Sequence, residues 1–445
     1  MGPYICSFAG TISVSKTERH RQPVEGRPAV MRICILGAGV VGLTSAYYLA
    51  REGHDVTVLE ARPDAVLDAS FANGGQLSYS YVAPLADPAV LGKLPAWLVR
   101  RDSALRFVPR LDVDQWLWCA AFLAACRTAR ARRTAAEMLE LGALSRAALH
   151  TLVEQEALDF DYARNGKLVV YRDQREFDRA RRAMDHLIAA GARQHALDAA
   201  ACVALEPALG PSAGLLAGGI HTPSEEVGDC RRFGAGLARV LRERLRVAIH
   251  YQTPIAALRA EGATIVAART ARGDIGADAF VLSAGNGSAP LLRRLGMRLP
   301  IHPLTGYSLT LPGRQDAMPR VSVTDLHRKI VYAPLGARLR IAGMVEIAGL
   351  RSSGAARRLA LLARQAQEIF PHAGDYARGE TWCGHRPATP DGKPLIGATP
   401  FRNLWLNTGH GALGFTLACG SARVLADLIA GREPALDARA YALHR

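Results

Sequence analysis

Lysine is nearly absent from a strongly basic chain: of 55 cationic residues only five are lysine, at 16, 93, 167, 329 and 393. The rest is arginine, spread along 445 residues, and the formal net charge is +15. A nucleic-acid surface masses its cations in a patch or run. This chain has no such run, which argues against nucleic acid and leaves attraction to an anionic membrane open. The eight cysteines (6, 34, 119, 126, 202, 230, 383 and 419) form no C-x-x-C pair and no Cys/His spacing suited to zinc. That pattern points to a reducing compartment, the cytoplasm, and to no structural metal. No apolar run approaches the roughly 18 residues that span a bilayer. Residues 1–30 lack periodicity and the apolar segment of a secretory signal. They read as a disordered extension or, the favoured reading, a start placed too early. What is left is an ordinary globular balance, 49% apolar and 21% charged, with length for two or three domains.

The informative stretch runs from Met31 to Glu60. Arg32 to Leu36 is a short apolar run with β-branched members, the pattern of a buried parallel strand. Gly37, Gly39 and Gly42 follow at G-x-G-x-x-G spacing, then a helix to Arg51, a second strand from Asp55 to Leu59, and Glu60. Gly37 makes the tight turn, Gly39 lets the backbone approach a pyrophosphate, and Gly42 lets the helix pack on the strand. Val40 and Val41 open the helix, whose unpaired N–H groups face the phosphates. Glu60, followed by Ala61, is placed to accept from a ribose 2′-OH. This is the signature of an ADP-binding βαβ unit.

Asp68 to Gln76 is small, polar and glycine-bearing. Ser70, Asn73, Gly74, Gly75 and Gln76 are candidates to meet a cofactor across the sheet edge, against the plainer reading of a loop and helix cap. Residues 84–133 are irregular, broken by Pro84, Pro88, Pro95 and Pro109. Gln115 to Cys126 is apolar with aromatics at one end and meets Arg127, Arg130, Arg132 and Arg133. It fits an interfacial helix, or a buried helix followed by a solvated one. Residues 134–157 and 173–190 have helical periodicity, and Lys167–Tyr171 reads as a strand. Arg231–Arg244 reads as a helix. A β-rich stretch from Val247 ends in a strand that runs into Ser283, Ala284 and Gly285, a second bare-backbone approach. Leu304–Leu311, Lys329–Ala333 and Arg338–Met344 read as strands of another sheet, and Arg351–Phe370 as a helix. Near the C-terminus a strand at Leu404–Leu406 leads into a glycine-rich turn and a helix over Ala412–Ile429. Gly409, Gly411, Leu413, Gly414 and Thr416 there would set N–H groups against a carbonyl that gains negative charge. His410 reads equally as a turn residue or a functional one.

The glycine motif, SFANGGQLS, LTGYSLTL, GMVEIAG, HRPATPDGKPLIG and NLWLNTGHGALGFTLACGS stand in this order. Over about residues 31–432 the chain resembles bacterial FAD-dependent D-amino acid dehydrogenases of the small-subunit type, within the D-amino-acid oxidase/glycine oxidase superfamily. The resemblance implies an α/β fold, α+β overall. A Rossmann-like FAD-binding domain would be assembled from 31–82, 221–300 and 384–432. A substrate domain with a mainly antiparallel sheet would comprise 83–220 and 301–383, and 433–445 would be a tail. It implies FAD as cofactor, a D-amino acid oxidised by hydride transfer from Cα to flavin N5, and 2-oxo acid and ammonia as products. Electrons would pass to a quinone-type acceptor, with peripheral contact at the cytoplasmic face of the inner membrane and partner subunits both left open. Arg386 matches the arginine that forks the substrate carboxylate, the planar bidentate clamp such a group requires. Tyr307 matches a substrate-facing tyrosine more loosely, and Glu346 and His410 would border the pocket. His385 stands where many relatives have leucine, which suits a proline-like substrate. The alternatives are an O₂-using oxidase of the same fold acting on glycine, sarcosine or D-amino acids, a proline- or hydroxyproline-type dehydrogenase subunit, and a non-catalytic FAD-binding subunit.

Overall fold

The apolar run Arg32–Leu36 is the centre of a six-stranded sheet in the computed structural model, flanked by Ala279–Leu282 and Asp55–Leu59. Leu404–Thr408 and Ala248–His250 extend it in parallel, and Leu395–Ala398 closes one edge antiparallel. The structure describes residues 30–80, 85–92, 103–189, 193–350 and 354–445. The expected N-terminal extension lies outside them apart from Val30, as do Pro84 and Pro95. Parallel strands are covered on both faces. Ile33, Ile35, Val56 and Val58 face helices Val40–Arg51, Cys230–Glu243 and Gly414–Ile429, whereas Cys34, Leu36, Leu59 and Phe280 face the small antiparallel sheet that contains Leu258 and Ile265.

A second, mostly antiparallel sheet stands beside the first. Its strand order is Glu380–Ala388, His302–Pro312, Arg338–Ile347, Ile330–Leu335, Ser322–Asp325, Lys167–Tyr171, Gly218–Thr222 and His195–Leu197. Alternation gives it two unlike faces. Tyr307, Leu309, Leu311 and Ile341 pack with Leu362 and Ala366 of helix Ala355–Ala366. On the other face Ser308 Oγ donates to the Ala72 carbonyl at 2.7 Å, and the Arg340 guanidinium donates to the Asn73 carbonyl at 2.8 Å. The 68–76 segment therefore lies on that face.

Helix Gly411–Ile429 is long and apolar enough to cross a bilayer by length and composition, yet 61% of it is buried inside the fold. Its alanines and glycines let it approach other helices closely. A Cβ at Gly420 would sit 2.8 Å from the backbone N of Ser145, in helix Thr128–Glu156. It is a core helix, buried among Thr44, Leu141 and Ser145 of its neighbours. The C-terminal segment is docked as well: Tyr441 is buried, and Arg445 pairs with Asp391 at 2.8 Å.

Candidate active site

At the nucleotide end the three glycines do three separable jobs. Gly37 has φ +113° and donates to the Leu59 carbonyl at 2.8 Å. A Cβ on Gly42 would lie 1.9 Å from the Gly37 oxygen, so the helix sits directly on the turn. Gly39 is the residue before the helix and gives it no side-chain cap; a Cβ there would meet only Ser70 Oγ, at 3.6 Å. Val40 donates its N–H to Ser70 Oγ at 3.2 Å, with Val41 beside it. Glu60 is buried and accepts from the N–H of Ala38 at 2.7 Å and of Arg62 at 2.8 Å. Burial raises its pKa, and the backbone donors oppose that rise. Ala61, next to it, is exposed.

The other cofactor candidates fall into two groups. Ser283 is buried beside Gly37 with an unpartnered Oγ, and Gly285, after Ala284, has φ +54°. Around the second helix end Gly409 and Gly411 have φ +78° and +56°, and helix Gly414–Ile429 begins after Leu413 with no side-chain cap. Thr416 Oγ1, in its first turn, accepts from Ser78 N–H at 3.4 Å. In contrast, the side chains of Asn73 and Gln76 are committed to the protein. Asn73 Oδ1 accepts from Gly75 N–H at 3.0 Å, and Gln76 Nε2 donates to Ser322 Oγ at 2.5 Å. Gly74 and Gly75 seat the loop on the sheet, close to Val331 and Leu335.

Arg386 lies on the sheet face that carries the 68–76 loop. Its strand pairs Leu304 with Arg386 and Gly306 with Gly384, and facing residues share a side. The guanidinium occupies the room a Cβ on Gly306 would need, with Nη2 at 2.4 Å from that position. A one-residue bulge opposes Gly306 to Met344 and Val345; Met344 has φ +60°, and its carbonyl accepts from Arg386 Nη1 at 3.4 Å. Among the described residues Arg386 has no carboxylate partner, and desolvation lowers its pKa. Sequence reasoning missed Gly306; a glycine inside a strand was the available signal of a close approach.

Three expected pocket residues face away. Tyr307, His385 and Glu346 pair on the opposite side of the sheet from Arg386. Tyr307 donates to Glu346 Oε2 at 2.8 Å, Arg358 Nε stands 3.2 Å from Glu346, and His385 Nδ1 meets Thr305 Oγ1 at 3.1 Å. Neighbours in sequence, His385 and Arg386 are on opposite faces because side chains alternate. The proline-like preference inferred from His385 therefore loses its physical basis.

His410 is also set apart. It is buried with Nε2 3.0 Å from Ser421 Oγ, and its backbone bridges to Ala388, two residues from Arg386. Desolvation lowers its pKa from 6.5 to about 3, so the folded protein holds a neutral ring. The unfolded chain takes up a proton first as pH falls. The stability this group contributes is full above 6.5 and is lost progressively toward about 3. His410→Asn should flatten that loss, by on the order of a few kcal/mol, in thermal unfolding followed from pH 7 to 4.

Ser70 links the first helix end to the 68–76 loop, that loop lies on the sheet face of Arg386, and the orphaned Ser283 hydroxyl sits beside Gly37. The chain matches the family described as FAD dependent oxidoreductase over residues 32–428. It belongs to that family. The oxidoreductase is 52% identical over 416 residues to D-amino acid dehydrogenase 2 of Pseudomonas aeruginosa, covering 91% of this chain and 96% of the relative. It is 46% identical to the D-amino acid dehydrogenase of Paramagnetospirillum magneticum over 409 residues, 92% and 97% of the two chains. Its fold is that of glycine oxidase from Geobacillus kaustophilus (TM-score 0.73, 22% identity, 94% and 99% covered) and of L-proline dehydrogenase from P. horikoshii (0.73, 16%, 94% and 98%). The residues present fit FAD. The helix end after Gly39, capped at Val40 only by the sequence-distant Ser70 hydroxyl, would suit a pyrophosphate, Ser283 Oγ lacks a partner, and the end at Gly414 would offer N–H groups to a ring carbonyl.

Proposed function

We propose that this oxidoreductase oxidises D-amino acids to imino acids, which water converts to 2-oxo acids and ammonia. The carrying observation is Arg386: a half-buried, desolvated guanidinium whose hydrogen-bond partner among the described residues is a backbone carbonyl, on the sheet face that carries the 68–76 loop. Such a cation calls for an anionic guest, and an α-carboxylate matches its fork. The relatives' names support a D-amino acid as that guest. Held by its carboxylate, the substrate keeps Cα at a fixed distance from the clamp, and the surrounding sheet excludes water. Bound FAD supplies the two-electron acceptor for the hydride leaving Cα. A division into a cofactor part and a substrate part is supported by the two sheets, although the expected boundaries at 221 and 384 fall inside strands Gly218–Thr222 and Glu380–Ala388.

An anaerobic absorbance titration with D-alanine, D-proline, glycine and L-alanine tests this reading. Bleaching of the flavin band by D-enantiomers, with fast recovery on a quinone analogue and slow recovery in air, is the expected result. Fast recovery in air with peroxide would identify an oxidase, and no bleaching would sink the proposal.

The acceptor reading adds a surface. Leu111, Val113, Trp116, Leu117 and Leu123 are exposed in and just before helix Val113–Ala125, and Leu350 lies nearby. Leu117 and Leu350 line one cavity of about 470 Å³ with Arg110, Arg293 and Arg298. Arg127, Arg130, Arg132 and Arg133 are exposed at the far end of the helix. An apolar knob ringed by arginines suits a peripheral contact with anionic lipid at the cytoplasmic face, where a quinone would be reached. The double variant Leu111→Asp/Leu117→Asp should lose co-sedimentation with anionic vesicles while turnover with a soluble dye is kept. Equal sedimentation of both proteins would remove this surface from the account.

A further inference from the structure

On the face that holds Arg386, a second side chain lies across a bare floor. Gly306 and Gly384 pair directly, and so do Ser308 and Trp382. Each glycine leaves space that a neighbouring side chain has taken. The Arg386 guanidinium fills the space above Gly306. The benzo edge of Trp382 fills that above Gly384, with Cη2 2.0 Å from where a Cβ would be. Facing Cβ positions lie about 5 Å apart, so guanidinium and indole stand side by side, one side chain's width from each other. Trp382 is half-buried, and among the described residues its ring has no stacking or cation–π partner. Its side is that of Ser308, which bonds to the 68–76 loop.

We propose that Trp382 is the wall against which the substrate's side chain lies, and so a specificity-determining residue. This rests on Arg386 as the carboxylate clamp. With the carboxylate on Arg386, a side chain directed over Gly384 meets the flat apolar surface of the indole. The wall favours D-amino acids with long apolar or aromatic side chains over D-alanine, which is too short to use it, and over charged ones, whose solvation it would strip. Gly384 belongs to the device, because any Cβ there would lift the ring off the floor.

The test compares kcat/KM for D-methionine and D-alanine, with a soluble dye as acceptor, in the wild type, Trp382→Ala and Trp382→Phe. Flavin content and the ligand Kd from anaerobic bleaching are measured alongside. In Trp382→Ala, D-methionine should lose roughly tenfold or more relative to D-alanine, mainly in KM and Kd. Trp382→Phe should restore most of that ratio. If the alanine variant does not fold, Trp382→Leu decides in its place, since it keeps much of the volume but not the flat ring and should lose roughly severalfold for D-methionine relative to D-alanine. An unchanged ratio in flavin-loaded Trp382→Ala or Trp382→Leu overturns the wall. Failure of the wild type to oxidise either substrate overturns instead the function on which the wall rests.

Discussion

Arg386→Ala is expected to lower kcat/KM for D-amino acids about a hundred- to a few-thousandfold while leaving FAD bound. Breaking a buried charge pair costs about 3–5 kcal/mol, and each 1.4 kcal/mol is about a factor of ten. The guanidinium has no carboxylate among the described residues to retain it, so under the proposed reading the substrate would be its one strong partner. Arg386→Lys should recover little, because an ammonium cannot make the planar two-point contact. The free protein should respond in the opposite sense. Without substrate the cation is desolvated and uncompensated, so Arg386→Met, which keeps much of the volume, should raise the thermal midpoint of the ligand-free enzyme. Steady-state kinetics and thermal unfolding check the two halves separately. A variant with unchanged kcat/KM would place the clamp on another residue.

The nucleotide end was legible because its information is local. Strand, glycine spacing, helix and Glu60 fall within 30 residues, and each position has one mechanical reason. The substrate end was legible only in part, because strand parity is set by pairing over long distances. Tyr307 and Glu346 look like pocket residues when read along the chain. The bulge at Met344 and the pairing with Glu380–Ala388 place them behind the sheet. There Glu346 has an arginine and a tyrosine for partners, and no substrate is needed to explain it. Asn73 and Gln76 show the same limit in milder form: read along the chain they look free for a ligand, yet Asn73 Oδ1 and Gln76 Nε2 bond within the protein. Trp382 and Gly384 lay inside the stretch TWCGHRPATP, and nothing local distinguishes an indole folded back over a glycine from one packed in the core. The helix over 411–429 does not read as one long apolar run because Arg423 and Asp427 interrupt it, whereas its small residues are what let it pack in the core.

Gly42→Ala should abolish stoichiometric FAD binding. A Cβ at this position would lie 1.9 Å from the Gly37 oxygen, a backbone atom, so no rotamer change relieves the clash. The turn cannot retreat. The Gly37 N–H is fixed to Leu59 at 2.8 Å, and the space beside its α-carbon is closed by the Ser283 carbonyl, 2.8 Å from a Cβ position. The helix must therefore move off the strand, and with it the Val40 end that would face the pyrophosphate. Overpacking of this kind typically costs about 1–3 kcal/mol, but the greater consequence is geometric, because the donors leave the phosphate position. Gly53→Ala is the matched control. It has φ +94° and nothing within 4 Å of its Cβ position, so it carries backbone strain without a clash. It should lose about 1 kcal/mol of stability and keep its flavin. The ratio of flavin to protein absorbance after purification separates the two variants. If Gly42→Ala retained a full complement of FAD, the close packing of helix on turn would not be what holds the cofactor.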